Sequence, residues 1–384
     1  MGERVAVVGW AQSKHSQRYV EYLPAELVTE TVQYALESNG IDLKKVDMVI
    51  GAGCDMIDGR SISNVFVTEA QGAHLKEESK VEEDGAYAAM YAAMRILADG
   101  GDLAMVVAYG KFSESGPDIY SGLIGEPFYH KPLGLNAVNT SALQARAYME
   151  RFGVTPEQTA RVSVKNHRNA LKNPHATIAG DYTVEDVLTS PMIADPLRRL
   201  DCSPSSDGAC VLFLAGEKAA KKYTKKPVWI RGMGQSNDEY YPGHKDLSEL
   251  ASATDAAKRA YKMAGISDPA KEIDIAEVME PFGFYELMLY ESLGFCEKGG
   301  GGKFIDWGVS TPEGRLPVNL SGGAISANSP LTAGAVRIAE ACAQLTGAAG
   351  DMQTSKPVKN AVAHATSGLC MQSNVVFVLS TDKG

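Results

Sequence analysis

Short apolar runs recur along the chain: VAVVGW, DMVIGA and LAMVVAYG in the first part, then VWIRGMG, IAEVMEP, LPVNLSG and NVVFVLS. Polar residues rarely alternate within them, which is the pattern of strands covered on both faces. Between them lie Ala-rich stretches with apolar positions at helical spacing, such as AELVTETVQYALESNG and ASATDAAKRAYKMAG. The pattern predicts an α/β chain with mostly parallel sheets. The segment after residue 111 is richer in polar residues, Tyr, Pro and His, and carries two predicted helices near 138–152 and 156–172.

The pattern also repeats. Residues 26–53 parallel residues 252–280: a helix, then Gly40 or Gly265, an isoleucine, a short acidic/Lys linker and a buried strand. Both glycines suit the left-handed position that closes a helix. A second pair matches less closely: SKVEEDGAYAAMYAAMRILADGGDLAMVVAYG answers LPVNLSGGAISANSPLTAGAVRIAEACAQLTG. Two copies of one β-α-β unit, about 225 residues apart, predict a duplicated two-lobed fold. The expected division is 1–111 plus about 176–225 for one half, 112–175 for a loop domain, and 226–384 for the other half.

The 384 residues suffice for a large core, and the net charge of -10 argues against nucleic acid or an anionic membrane as partner. MGERVAVVGWAQ leads straight into a strand without a signal-peptide pattern, and no apolar run reaches membrane-spanning length, so a cytoplasmic location is expected. The six cysteines (54, 202, 210, 296, 342, 370) form no CxxC pair and no metal spacing, and read as reduced thiols with no metal site.

Four separated blocks carry a resemblance: IDIAEVMEPFGFYELMLYESLGFCEKGGGGKFIDWG, GRLPVNLSGGAISANSPLTAG, PLRRLDCSPSSDGACVLFLAGEKAA and NALKNPHA. Together they resemble the thiolase superfamily, in its sterol-carrier-protein branch, over nearly the whole chain. The resemblance implies a duplicated α-β-α-β-α sandwich with an inserted loop domain, and coenzyme A as part of the substrate rather than a covalently bound cofactor. It implies an acyl-CoA as ligand, a homodimeric core, and a small zinc-ribbon/OB-fold subunit as partner.

The family's catalytic positions are altered here. KVEEDGAYAAM fills the nucleophile elbow, placing Gly85, preceded by Asp84, where the family shows a cysteine. Ala327-Asn328-Ser329-Pro330 stands for a Gly-His-Pro turn, and Val278-Met279-Glu280-Pro281-Phe282 for a segment whose polar residue helps form an oxyanion hole. The C-terminal acid/base loop is AHATSGLCMQSNVV, with His364 or Cys370 as its candidates. The tyrosines of a Cys-less, retro-aldol branch would fall near Met279 and Ser329, where neither is tyrosine; Tyr87, Tyr91 and Tyr285 read as packing residues. The candidate catalytic set is therefore Asp84, Glu280, Asn328, Ser329, His364 and Cys370. Gly85, Met279, Gly322, Gly323 and His244 are the candidate substrate contacts.

Plainer readings stand beside these. Glu83 and Asp84 suit the start of a helix as caps, Asn328-Ser329 a turn before Pro330, and His130 and His244 solvated loops. Cys202 and Cys210 suit a strand-turn-strand block of the core, and GGGG near 299–302 a flexible connection. The glycines of NLSGGAIS suit a backbone that approaches a ligand closely. The expected function is acyl-CoA binding with carbon–carbon bond cleavage or formation in a 3-oxo- or 3-hydroxyacyl-CoA without a cysteine acyl-enzyme, within a complex. The alternatives are a silent subunit supporting a partner chain, and an ordinary acyltransferase with its cysteine placed differently.

Overall fold

The computed structural model describes residues 4–116, 121–327 and 329–384; the candidate Asn328 lies outside the described residues. The apolar runs become strands: β1 Val5–Gln12, β2 Met48–Ala52, β3 Glu77–Val81, β4 Leu103–Lys111, β5 Asp207–Gly216, β6 Val228–Asn237, β7 Ile275–Glu277, β8 Asn360–Ser367 and β9 Ser373–Ser380. The principal helices are α1 Pro24–Asn39, α2 Gly85–Leu97, α3 Ala137–Phe152, α4 Pro156–Ala170, α5 Ala251–Ala264, α6 Gly283–Ser292 and α7 Ala333–Thr346. Gly40 and Gly265 close α1 and α5 in the left-handed conformation, as their place after each helix predicts.

The strands form one sheet in the order β3-β2-β4-β5-β1-β6-β9-β8-β7. Its two halves have matching order. In the first, β3-β2-β4-β5-β1; in the second, Val318 bridges Ala276 of β7 in parallel, followed by β8, β9 and β6. The halves join where Ala6 and Val7 of β1 face Trp229 and Val228 of β6. α1 packs on β1 and β5, and α5 on β6 and β9. On the other face α2 packs on β2 and β4, α7 on β8, and α2 and α7 on each other. The resulting layering is the α-β-α-β-α arrangement.

Two expectations are corrected. The sheet is mixed: β2 pairs in parallel with β3 and β4, and β7 with β8, but β4–β5, β5–β1, β1–β6, β6–β9 and β9–β8 are antiparallel. β4, β5 and β9 are buried at every residue, because helices cover both faces. An antiparallel strand so covered loses its alternation and reads as parallel. The run LPVNLSG is reduced to the single bridge at Val318, since Asn319 turns into the left-handed region (φ 57°) and ends the extended chain.

The small residues of α2 and α7 set the thickness of the middle layer. Ala86, Ala88, Ala89, Ala92 and Ala93 on one helix and Ala335 and Ala339 on the other are buried, so backbones approach closely and both N-termini converge.

Candidate active site

The elbow is built by Asp84. It precedes α2 in an extended conformation (φ -64°, ψ 155°), and one carboxylate oxygen accepts from the Ala86 N–H at 2.8 Å. The other accepts from the N–H of Gly334, the second residue of α7, at 3.0 Å. One side chain thus caps two helices. Gly334 permits this, since a Cβ there would lie 2.1 Å from the Asp84 carboxylate. Burial pushes the carboxyl up to about 7, against the pull of the two N–H donors.

Gly85 opens α2 and donates its N–H to the Leu331 carbonyl at 2.7 Å. A Cβ there would stand 2.7 Å from the Cβ atoms of Ala108 and Ala335. The position has no room for a side chain, and no cysteine occurs on β3, on α2 or between them. Around it the remaining candidates are turned inward. Ser329 is fully buried and donates to the Gly110 carbonyl at 3.2 Å. Met279 belongs to the apolar core. His364, on β8, donates from Nε2 to Asn374 Oδ1 at 2.8 Å; burial lowers it to about 4, and its Nδ1 has no partner.

Glu280 sits in a closed network. It accepts from Asn166 Nδ2 at 3.0 Å, Asn319 Nδ2 at 2.8 Å and the Ile325 N–H at 3.2 Å. The same two amides reach Glu286, each at 2.8 Å. Lys165 lies 2.8 Å from Glu286 and Tyr290 bonds to it. Burial, then repulsion from Glu286, raises Glu280 to about 8. Gly323 lets the chain pass close to Glu280, where a Cβ would come within 2.0 Å of its oxygen, and a Cβ on Gly322 would come within 2.6 Å of that of Ala170. These two glycines admit protein neighbours, which corrects their reading as a ligand surface. His244 is exposed beside Tyr241, their ring centroids 5.3 Å apart.

A cleft of about 670 Å³ lies between residues of the 112–206 region and residues 281–285, 330 and 366–371. Among the described candidate catalytic residues only Cys370 lines it; Tyr285, Thr366, Cys202, Ser203 and Arg199 are among its other polar or thiol-bearing lining residues. Pro330 and Phe282, neighbours of the altered motifs, complete it. Cys370 and Met371 are consecutive non-glycine residues in the left-handed region, φ 54° and 51°. Strain of this kind persists where packing over-determines it and clusters at functional sites. The Cys370 thiol lies 3.5 Å from the Thr140 carbonyl, and burial raises it above the ordinary thiol range. Lys245 Nζ stands 3.4 Å from the carbonyl oxygens of Leu369 and Cys370, and burial lowers its basicity. The Tyr285 hydroxyl is 2.9 Å from both Gln144 Oε1 and Ser141 Oγ. Cys202 bridges Phe282 by its backbone, and burial pushes its thiol up to about 12, so it belongs to the cleft wall as well as to the core.

Compared with known proteins, residues 234–381 match the family model described as thiolase C-terminal domain-like. An acetyl-CoA acetyltransferase of Methanothermobacter thermautotrophicus is 33% identical over 359 residues, 91% of this chain and 92% of that one. The chain belongs to the thiolase superfamily. Its relatives include sterol carrier protein 2 of Bos taurus, 34% identical over 215 residues, 54% of this chain and 39% of that longer protein. A solved structure described as the Ltp2-ChsH2(DUF35) aldolase superposes with a TM-score of 0.83 at 26% identity, covering 98% of this chain and 97% of that one. The fold is the mixed α/β thiolase fold, and the chain is a member of a thiolase-like acyl-CoA acyltransferase family.

The sequence reading gives Tyr285 a packing role and does not single out Thr366 or Arg199, all three of which line the cleft. Thr366 is the penultimate residue of β8, four residues before Cys370, and Tyr285 follows the Phe282 of a quoted motif by three, so adjacency to both motifs was the available signal. Among the described residues no group of three His, Cys, Asp or Glu side chains could hold a metal ion, and no helix is long and apolar enough to cross a membrane.

Proposed function

We propose that the chain binds an acyl-CoA in the cleft beside Cys370 and serves carbon–carbon bond cleavage or formation in a 3-hydroxy- or 3-oxoacyl-CoA, without a cysteine acyl-enzyme at the elbow. The observation that carries this reading is a filled turn and an open cleft: Gly85 has no space for a nucleophile, while about 670 Å³ stays open in a cleft lined by Pro330, the neighbour of the Leu331 whose carbonyl takes the Gly85 N–H. A retro-aldol step needs a proton taken from a 3-hydroxyl and returned to the carbon of the departing enolate. It needs no acyl-enzyme bond. Tyr285, Thr366 and Cys370 supply hydroxyl and thiol groups at the cleft wall for binding and proton transfer. Arg199, exposed on the same wall, suits an anionic part of the ligand such as a coenzyme A phosphate.

The Ltp2-ChsH2(DUF35) likeness supports an aldolase-type reaction and a heteromeric setting. By the same reading the working form is a homodimeric core with a small zinc-ribbon/OB-fold subunit, acting in the cytoplasm. A second reading, a silent subunit supporting a partner chain, is favoured by one observation: both oxygens of Asp84 are spent on helix N–H groups.

The test is an assay of the chain, alone and with a DUF35-type subunit, on matched 3-hydroxyacyl- and 3-oxoacyl-CoA esters, read by mass spectrometry of esters and protein. A shortened CoA ester without a protein adduct is expected. An acyl adduct on any cysteine overturns the non-covalent reading, and intact esters in the full complex leave the silent subunit. Arg199→Glu is expected to weaken CoA-ester binding about tenfold, checked by titration calorimetry.

A further inference from the structure

A second cavity, of about 750 Å³, lies apart from the cleft, between the end of α1, residues 171–175 and the C-terminal half of α7. None of the described candidate site residues lines it. Its walls mix polar side chains, among them Gln12, Asn39, Lys172, Glu340 and Asp351, with apolar ones. Gln12, at the end of β1, donates Nε2 to Glu340 Oε1 at 2.6 Å, and both side chains line the cavity. Gln12 is only 8% exposed, and its Oε1 has no hydrogen-bond partner. Such an orphaned buried acceptor is expensive and calls for a donor.

Lys172 and Asp351 also line the cavity, both exposed, whereas the cation acting on the buried Glu340 is Arg337. Arg337, one turn before Glu340 on α7, bonds Glu277 at 3.2 Å and is the guanidinium whose field reaches Glu277, Glu340 and Asp84 together. With Glu280, which it also reaches, one buried cation acts on four buried carboxyls, and burial raises all four. His15, fully enclosed nearby with both ring nitrogens unpartnered, is held neutral and adds no charge. Asn39, also on the wall, is satisfied by the backbone of Trp10. Gln12 Oε1 and the Glu340 carboxyl thus remain as paired acceptors. Trp10, Ala343 and Met352 supply apolar lining of the same cavity, and an indole ring attracts cations.

We propose that this cavity is a binding site for a small organic cation: a primary ammonium or guanidinium head held by Gln12 Oε1 and Glu340, with a short apolar body against Trp10, Ala343 and Met352. A charged N–H donor satisfies the orphaned amide oxygen and supplies the missing positive charge in one group. A neutral alcohol of the same size satisfies only the first.

Titration calorimetry of the full chain with n-butylammonium and n-butylguanidinium, against 1-butanol at equal ionic strength, tests this. Saturable one-to-one binding of the cations is expected in the millimolar range, as befits ligands of so few atoms. Butanol is expected to bind at least about tenfold more weakly. Glu340→Gln removes the charge, and Ala343→Met fills the cavity while keeping the acceptors; each is expected to weaken the cations by about tenfold or more. Equal binding of butanol, no saturable binding of either cation, or unchanged binding in Ala343→Met overturns the proposal. The last criterion stands whether or not Glu340→Gln folds.

Discussion

At Gly85 the absence of a side chain is enforced by packing from both halves of the molecule. Restoring a cysteine there adds a Cβ and a sulfur against Ala108, Ala335 and the Leu331 carbonyl. Gly85→Cys is therefore expected to lose about 1–3 kcal/mol in urea unfolding and to gain no acyl adduct with acyl-CoA. A variant as stable as the parent that becomes acylated would sink the filled-elbow argument. The chain's own order makes Gly85 and Asp84 legible as the start of a helix, and the structure places them there. The second contact of Asp84, to Gly334 250 positions away, is not legible, because it exists only where two separate helices converge. The same limit applied to Tyr285. A tyrosine on a helix reads as core, and this one is both buried and part of the cleft wall.

At the scale of elements, the turn after Val318 is held by one asparagine. Asn319 adopts a left-handed conformation, its Oδ1 accepts from the Val278 N–H at 2.7 Å, and its Nδ2 bridges Glu280 and Glu286. Asn319→Ala leaves two carboxyls short of a donor at a strained position and is expected to destabilise by about 2–4 kcal/mol, measured as a shift of the urea midpoint. Lys165 is the cation of the same network, buried and bonded to Glu286, Asn166 and the Val318 carbonyl. Lys165→Met leaves two buried acids without it and is expected to cost about 3–5 kcal/mol; a loss under about 1 kcal/mol would mean that the pair holds one proton and needs no cation. The sequence shows Glu280 beside a motif but not its partners. Those come from α4, α6 and residues 319–325, segments far apart in the sequence. Strand direction was hidden for a related reason: hydrophobic runs report burial, and burial here comes from helices on both faces.

For the whole molecule, the buried acids and buried histidines set opposite pH dependences, and only the acids' window extends above pH 6.5. His15 is lowered to about 3 and His364 to about 4 from an ordinary 6.5, so the unfolded chain binds more protons below about pH 6.5 and those groups make stability rise with pH up to that point. Asp84 and Glu277, each raised to about 7, and Glu280, raised to about 8, bind protons more tightly when folded. Their stabilisation is complete below the unfolded values near 4 and is lost as pH rises through the folded ones. Above pH 6.5 the histidines no longer contribute a slope and the acids decide the sign. The urea midpoint is expected to fall between pH 6.5 and 8.5 at constant ionic strength, by on the order of 1–4 kcal/mol in unfolding free energy. A midpoint that stays level or rises across that window would show that these carboxyls are already ionised at neutral pH. In that case the charge shortage around Arg337 is met in another way, and the closed network at Glu280 holds two anions against one lysine.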